Sequence, residues 1–130
     1  MTNCIFCKIK DGEIPSAKVW ENENFFAFLD INPVNPGHTL LIPKKHVDYL
    51  FELDDGVYHE LFKAAKEVSV PLKRAVGAKR IGVVVEGFLV PHVHIHLIPI
   101  NGPGELDAKR AGKADPNELT AIAERIKDAF

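Results

Sequence analysis

The stretch HVHIHLI, residues 92–98, decides the fold of this chain and the kind of site that it carries. Histidine occupies every second position, and an alternation of period two is typical of a β-strand. We therefore predict a strand over residues 92–98. Rings on one face of a strand lie about 6.6 Å apart, so three of them can line a site as wide as a phosphate chain. Imidazoles would face one side of the sheet and aliphatic groups the other: His92, His94 and His96 against Val93, Ile95 and Leu97.

Three interpretations of this histidine pattern compete. Histidine is not a preferred strand residue, which argues against a half-exposed strand that carries three of them by accident. A metal site is a better alternative because imidazole is the commonest metal ligand, but neighbouring histidines on a flat strand diverge. Phosphate chemistry fits best, since an imidazole with a pKa near 6.5 can be a neutral nucleophile or a protonated donor. The middle residue, His94, could attack phosphorus while its neighbours stabilise the oxygens or protonate the leaving group.

Two other segments have helical spacing of apolar residues. Residues 54–76 carry such a stripe, with Asp54 or Asp55 to begin the helix and Gly77 to end it. Pro71 lies inside this segment, so we expect a kink or a break there. The second helix begins near the C-terminus with an N-cap, a proline at the first helical position and a capping-box glutamate: Asp115, Pro116 and Glu118.

The remaining segments read as strands and turns. Residues 17–20 and 25–29 predict a hairpin, and 39–43 and 80–85 are rich in aliphatic residues, as expected for strands. Residues 101–114 lack periodicity, and we expect a mobile surface stretch. Strands outnumber helices and are joined by short turns, which predicts an antiparallel α+β fold.

Composition narrows the class of protein. With 130 residues, the length fits a single domain over residues 1–130. Sixteen basic and eighteen acidic side chains give a net charge of −2, so we expect no nucleic-acid partner. No run of eighteen apolar residues and no signal peptide are apparent, so we expect no membrane association. Two cysteines are too few for a secreted disulfide scaffold, which favours a reducing cytoplasm.

The two cysteines form a Cys-x-x-Cys motif, Cys4-Ile5-Phe6-Cys7. It could be half of a zinc site, a redox pair or two inert core residues. A redox pair requires a helix that follows a strand in a thioredoxin-like context, which the sequence lacks. A zinc site requires two further ligands, and two cysteines with two histidines are a common structural set. We favour zinc over two inert core residues.

Three blocks of the chain together resemble the histidine-triad (HIT) superfamily of nucleotide hydrolases and transferases. They are CIFCKIKDGEIPSAKVWEN at 4–22, FAFLDINPVNPGHTLLIPKKH at 26–46 and HVHIHLIP at 92–99. The likeness is closest to the small bacterial and archaeal members that begin with Cys-x-x-Cys. It implies a HIT-like α+β fold, with an antiparallel sheet of about five strands, one long helix and a C-terminal helix.

The resemblance also implies the roles of individual residues. His94 matches the nucleophile that takes up a nucleoside monophosphate, and His96 the residue that contacts the phosphoryl group and helps the leaving group depart. His38 matches the fourth histidine, which supports the nucleophile. The remaining nucleotide contacts would be Asp30 at the ribose hydroxyls, with Ile31 and Phe28 bordering the base. The implied reaction is cleavage at the α-phosphate of a purine nucleotide through a nucleotidyl-histidine intermediate.

The same resemblance suggests the metal ligands and the assembly. Zinc would be held by Cys4, Cys7, His46 and His92, as a structural ion that the chemical step does not require. The partners implied are a purine nucleotide and a second copy of the chain in a homodimer, whose interface residues 80–85 or the long helix could supply.

One segment departs from the family pattern. Many relatives carry a longer loop before the triad with amide and hydroxyl donors, whereas here Leu89, Val90 and Pro91 lead directly into His92. A missing donor to transition-state charge can cost about 2.7–4 kcal/mol, so we expect weak activity towards the usual substrates of the family. This loop also supports the alternative of a catalytically weak nucleotide-binding or scaffolding protein.

Overall fold

The computed structural model describes residues 3–130, which form one five-stranded antiparallel sheet with helices packed against it. The strands pair in the order β1-β2-β3-β5-β4. In chain order the elements are α1 (Ile5–Lys10), β1 (Lys18–Glu21), β2 (Phe25–Leu29), β3 (Thr39–Pro43), α2 (Asp55–Val76), β4 (Arg80–Val84), β5 (Ile95–Ile100) and α3 (Pro116–Asp128). The predicted antiparallel α+β fold is confirmed. Among the described residues, no helix is both long and apolar enough to cross a membrane.

Both faces of the sheet are covered, but by different layers. On one face α2 and α3 pack against odd-numbered strand residues such as Leu41, Ile95 and Leu97. On the other face α1 packs against even-numbered residues, which include Phe26 and Phe28. This two-layer arrangement explains why every residue of β2 and β3 is buried. The histidines of the triad stretch face the α1 side.

The long helix does not break at its proline. Helix α2 runs continuously through Pro71, so of the kink or break expected there, the break does not occur. A proline inside a helix costs about 3 kcal/mol through a lost hydrogen bond and a steric clash. Pro71 and its neighbour Leu72 are buried, Leu72 within the core that contains the strand residues, and burial of this part of the helix offsets that cost. The helix ends as expected at Gly77, whose φ of 68° is left-handed.

The triad strand begins later than its sequence pattern predicts. Strand β5 covers Ile95–Ile100, so His92 and His94 precede it. The reason is a change of hydrogen-bond partner, since the Val93 N–H donates to the Val47 carbonyl, 2.7 Å away, outside the β3–β5 ladder. The alternation of faces nevertheless continues, because Val93 is buried with the helices.

The stretch between β5 and α3 is largely exposed, and it contains a short 3₁₀ helix at Ala108–Arg110. The Asn35 side-chain amide anchors it by donating to the backbone carbonyls of Pro99 and Glu105. Further along, the Ala114 N–H donates to the Ile31 carbonyl at 3.0 Å. Hydrogen bonds therefore tie this surface stretch to the loop that follows β2.

Candidate functional site

Three imidazoles meet on the α1 face of the sheet. The His94 and His96 ring centroids are 4.9 Å apart, and those of His96 and His38 are 5.1 Å apart. His38 and His94 are only 3% and 6% exposed, while His96 is partly buried. The Asp30 carboxylate lies 3.6 Å from His38 Nε2. The structure thus brings together the residues that the sequence proposed for phosphate chemistry.

A tight turn delivers His38 to this cluster. Gly37 has a φ of +92°, a left-handed conformation that favours glycine. A Cβ at this position would lie 2.9 Å from Val76 Cγ1 and 3.2 Å from Pro99 Cγ, so glycine is also required for space. The turn packs closely against α2 and β5, which places His38 at the start of β3.

Hydrogen bonds determine the protonation of His38 and His96. The Val34 N–H donates to His38 Nδ1 at 3.0 Å, so the proton of neutral His38 lies on Nε2. That Nε2–H donates in turn to His96 Nδ1 at 2.9 Å. The proton of neutral His96 is therefore on Nε2, available as a hydrogen-bond donor to a ligand.

The neighbouring His94 has the opposite arrangement. Its Nδ1–H donates to the His92 carbonyl at 2.7 Å, which leaves the Nε2 lone pair without a proton. The site therefore offers a lone pair on His94 beside an N–H donor on His96. Such a pair suits attack on a phosphorus atom whose oxygens or leaving group accept a hydrogen bond.

Burial keeps these rings neutral. It lowers the pKa of His94 and of His38, although the Asp30 carboxylate partly opposes the effect at both. The pKa of His96 falls to about 4, because of burial first and then the neighbouring His94 and His38. A neutral His94 retains its lone pair at pH 7. A bound phosphate, being negative, would raise these pKa values again.

The depressed pKa of His96 predicts a loss of stability in mild acid. The unfolded chain binds the His96 proton below about pH 6.5, whereas the folded protein binds it only near pH 4. The free energy of unfolding should therefore fall as the pH drops between these values. The full shift would be worth about 3 kcal/mol, which solvent screening of this partly exposed ring reduces to roughly 1–2 kcal/mol. Urea unfolding at pH 7 and pH 4.5 measures the effect.

A matched pair of variants isolates this contribution. His96→Gln removes the titrating ring, so its stability should depend less on pH than that of the wild type. His59→Gln changes an exposed histidine on α2 and should retain the wild-type dependence. Equal pH dependence in both variants would show that His96 does not carry the effect.

The remaining nucleotide-site candidates are differently exposed. Asp30 Oδ1 accepts from the Asn32 N–H at 2.8 Å, while its other oxygen faces His38. Ile31 is 63% exposed beside it, and Phe28 is only 3% exposed. Phe28 lies within the apolar cluster beneath the site, with its ring centroid 5.6 Å from that of Phe6.

A second cluster lies next to the triad and joins both cysteines to two histidines. Cys4 Sγ is 3.4 Å from His92 Nδ1, and Cys7 Sγ is 3.4 Å from His46 Nδ1 and 3.5 Å from His92 Nδ1. The two Nδ1 atoms are 3.2 Å apart. A tetrahedral zinc would separate sulfur from nitrogen ligands by about 3.6 Å and two nitrogens by about 3.3 Å. The four atoms therefore have the spacing of a tetrahedral metal site.

The protonation of His92 also fits a metal ion. Its Nε2–H donates to the Pro43 carbonyl at 2.7 Å, so the Nδ1 lone pair faces the two sulfurs and His46. Lone pairs this close repel unless a proton or a cation lies between them. No disulfide joins Cys4 to Cys7, and burial raises the pKa of the Cys7 thiol. A bound cation would reverse that shift and hold the thiolate.

The triad itself is less suitable for a metal. Asp30, His38 and His96 each place one ligand atom within 4.8 Å of the others. However, His38 Nδ1 already accepts the Val34 N–H, so its Nε2 carries the proton and has no lone pair for a cation. A metal there would require an imidazolate or a broken hydrogen bond. Among the described residues, the cysteine cluster is the better metal site.

Sequence reasoning missed three contributors to the site. Phe6 contacts His94 with its ring, Val34 sets the proton of His38, and Pro43 sets that of His92. Val34 and Pro43 act through backbone groups, which no side-chain pattern reveals. Phe6 stands between the two cysteines, but nothing in that spacing indicates that its ring reaches the triad.

The short loop before the triad, residues 88–90, consists of apolar residues. Phe88 and Leu89 are 90% and 98% exposed and belong to no core. Val90 packs against the apolar cluster that contains Phe6 and Phe28. Residues 88–90 carry no amide or hydroxyl group in their side chains.

The neighbouring histidines His38, His94 and His96 on a five-stranded α+β fold are the arrangement expected from the resemblance to the histidine-triad class. Residues 11–102 match the HIT domain. The chain belongs to the HIT family.

Individual relatives agree with this assignment. An uncharacterized HIT-like protein of Methanocaldococcus jannaschii is 41% identical, over 95% of this chain and 98% of its own. An adenosine 5′-monophosphoramidase of Schizosaccharomyces pombe is 35% identical, over 95% of this chain and 96% of its own.

Solved structures are similar over almost the whole chain. A hypothetical histidine-triad nucleotide-binding protein of Sulfolobus tokodaii has a TM-score of 0.88 at 32% identity, over 97% of this chain and 91% of its own. A zinc-bound histidine-triad family protein of Mycobacterium smegmatis has a TM-score of 0.84 at 25% identity, over 98% of this chain and 92% of its own.

Proposed function

We propose that this protein is a nucleotide hydrolase or transferase that acts at the α-phosphate of purine nucleotides through a nucleotidyl intermediate on His94. The observation that carries the proposal is the hydrogen bond from His94 Nδ1–H to the His92 carbonyl, which leaves Nε2 as the nucleophile. The S. pombe phosphoramidase supports the class of substrate, a nucleoside 5′-phosphoramidate.

The proposed reaction has two displacements at phosphorus. His94 Nε2 attacks the α-phosphate, and the bond from phosphorus to the leaving amine or phosphate breaks. The ring becomes positively charged, and its Nδ1–H bond to the His92 carbonyl stabilises that charge. Water then attacks the phosphorus and loses a proton to solvent, the bond to Nε2 breaks, and the nucleoside monophosphate leaves with the Nε2 lone pair of His94 restored.

The other triad residues orient the substrate. His96 Nε2–H would donate to a phosphate oxygen or to the leaving group, and His38 holds His96 in that tautomer. Asp30, with one oxygen turned towards the triad, would accept from the ribose hydroxyls. Ile31, exposed beside it, would contact the base, with Phe28 supporting the pocket from below.

We also propose that Cys4, Cys7, His46 and His92 hold a structural zinc. The tetrahedral spacing of their ligand atoms and the zinc-bound relative support this assignment. The bound zinc would attach the N-terminal segment to the sheet. It would take no part in the chemical step. Thiolate ligands persist in a reducing compartment, so we place the protein in the cytoplasm.

The exposed edge of the sheet favours a homodimer. Within residues 3–130, strand β4 pairs with β5 alone, and its residue Val83 is 51% exposed. Unpaired strand edges are templates for pairing with another chain. Sedimentation should give about twice the chain mass of 14.4 kDa, and a single chain at micromolar concentration would disprove the dimer.

Intact-protein mass spectrometry tests the enzymatic proposal. The protein is incubated with adenosine 5′-phosphoramidate and, separately, with a diadenosine polyphosphate, and release of AMP is followed. A mass increase of one adenylyl group together with AMP release would support the proposal. Binding of nucleotide without adduct or AMP would favour the alternative, a nucleotide-binding or scaffolding protein that the apolar loop before His92 also allows.

A further inference from the structure

The N-terminal helix α1 is too short to be stable alone. It has six residues, and isolated helices shorter than about 12 residues are marginal in water. Three buried side chains attach it to the sheet, Cys4 at the N-cap, Phe6 and Cys7, and the partly buried Ile9 packs against the same cluster. Whatever holds the cysteines therefore also determines where Phe6 lies.

Phe6 lies against the proposed nucleophile. Its ring centroid is 4.9 Å from that of His94, at an interplanar angle of 81°. The same ring is 6.1 Å from His92 and 5.6 Å from Phe28, and all three pairs are edge-to-face. Aromatic pairs prefer this geometry, so Phe6 restricts the tilt of the His94 ring.

A second connection runs through His92. Its Nδ1 lies 3.4 Å from Cys4 Sγ, while its backbone carbonyl accepts the Nδ1–H of His94 at 2.7 Å. The cluster of Cys4, Cys7, His46 and His92 is therefore connected to His94 in two ways. One connection is the ring of Phe6, and the other is the backbone carbonyl of His92. Movement of α1 would disturb both.

We propose that Phe6 is a positioning residue for His94, and that it does so only while Cys4 and Cys7 are anchored in the metal cluster. The N-terminal Cys-x-x-Cys segment would then control the rate of nucleotidyl transfer, beyond stabilising the fold. This inference rests on the proposed function for its effect on rate. The orientation of His94, however, is measurable without any nucleotide.

Phe6→Leu and Phe26→Leu form a matched pair of variants. Phe6 and Phe26 are 6% and 5% exposed, belong to the same apolar cluster and both contact Phe28. Only Phe6 has a ring contact with the triad histidines. The two variants should therefore lose a similar free energy of unfolding. Only Phe6→Leu should also lose the fixed orientation of the His94 ring.

The first readout is the His94 Nδ1–H signal in proton NMR of the zinc-loaded protein. We expect slow solvent exchange of this proton in the wild type and in Phe26→Leu. In Phe6→Leu, with zinc content unchanged, exchange should be at least about tenfold faster, since the ring that packs against His94 is missing. Wild-type protein stripped of zinc by a chelator should resemble Phe6→Leu.

The second readout is catalysis with adenosine 5′-phosphoramidate. Phe6→Leu should lower kcat by about 10- to 100-fold with little change in KM, since a misplaced nucleophile slows chemistry more than binding. Phe26→Leu should stay within about threefold of the wild type. If Phe6→Leu does not fold, Phe6→Met replaces it.

The experiment distinguishes failure of the positioning role of Phe6 from failure of the proposed function. Equal exchange in Phe6→Leu and Phe26→Leu would overturn the positioning role, whatever the activity. Fast exchange in Phe6→Leu alone, in a protein whose wild type forms no adduct, would retain the positioning role and reject the proposed function.

Discussion

Substitution of His94 by alanine is expected to abolish the nucleotidyl adduct and to lower the rate of AMP release by about 10³-fold or more. The reason is geometric, since His94 is the triad ring whose hydrogen bonding directs an unprotonated Nε2 away from the backbone. His96 Nε2 carries a proton and His38 Nε2 donates to His96, so neither neighbour can replace the nucleophile. Quench-flow and intact mass measurements with adenosine 5′-phosphoramidate check this result.

His59→Ala is the matched control, because it removes a histidine from the exposed surface of α2. It should retain adduct formation and turnover. An adduct of wild-type mass in His94→Ala would show that another residue is the nucleophile. Nucleotide affinity in His94→Ala should change little, since the ribose and phosphate contacts proposed for Asp30 and His96 remain.

Removal of the metal is expected to have the largest effect on stability. Zinc bound at 1,000 times its Kd contributes about 4 kcal/mol to the free energy of unfolding. For a chain of this size, that corresponds to a fall in Tm of roughly 10–20 °C after chelation. Elemental analysis should give one zinc per chain, and differential scanning calorimetry with and without a chelator should show the shift.

Cys7→Ala supplies the control for this experiment. It removes a thiol that lies within 3.5 Å of both candidate histidine ligands, so it should lose zinc and become insensitive to chelator. Zinc affinity of the wild type should fall with decreasing pH, because the ligands must be deprotonated to bind. A wild-type Tm that is unchanged by chelation, with no zinc in the purified protein, would reject the metal site.

Much of the fold follows from local patterns. The period-two alternation of residues 92–98 predicted the two faces of β5 and of the residues that lead into it, and the period-3.6 stripes predicted α2 and α3. Asp115 caps α3 as predicted, with its carboxylate accepting the Asn117 N–H. Such signals depend on neighbours a few residues apart, so they are readable in the sequence.

The departures from the predicted elements have non-local causes. Strand β5 starts at Ile95 because Val93 pairs with Val47, a residue 46 positions earlier. Helix α2 continues through Pro71 because Pro71 and its neighbours Val68 and Leu72 are buried in the folded protein. In both cases a tertiary contact outweighs a local preference.

By itself, the sequence predicted the class of fold and proposed side chains for the chemistry: His94 and His96 from their spacing and His38 from the family resemblance for phosphate, and Cys4 and Cys7 for a metal. Only the tertiary structure decided which nitrogen of each ring carries the proton, through the backbone groups of Val34, His92 and Pro43. It also placed Phe6 against His94. Periodicity and spacing identify side chains, but proton positions depend on donors and acceptors that the folded backbone brings together from distant parts of the chain.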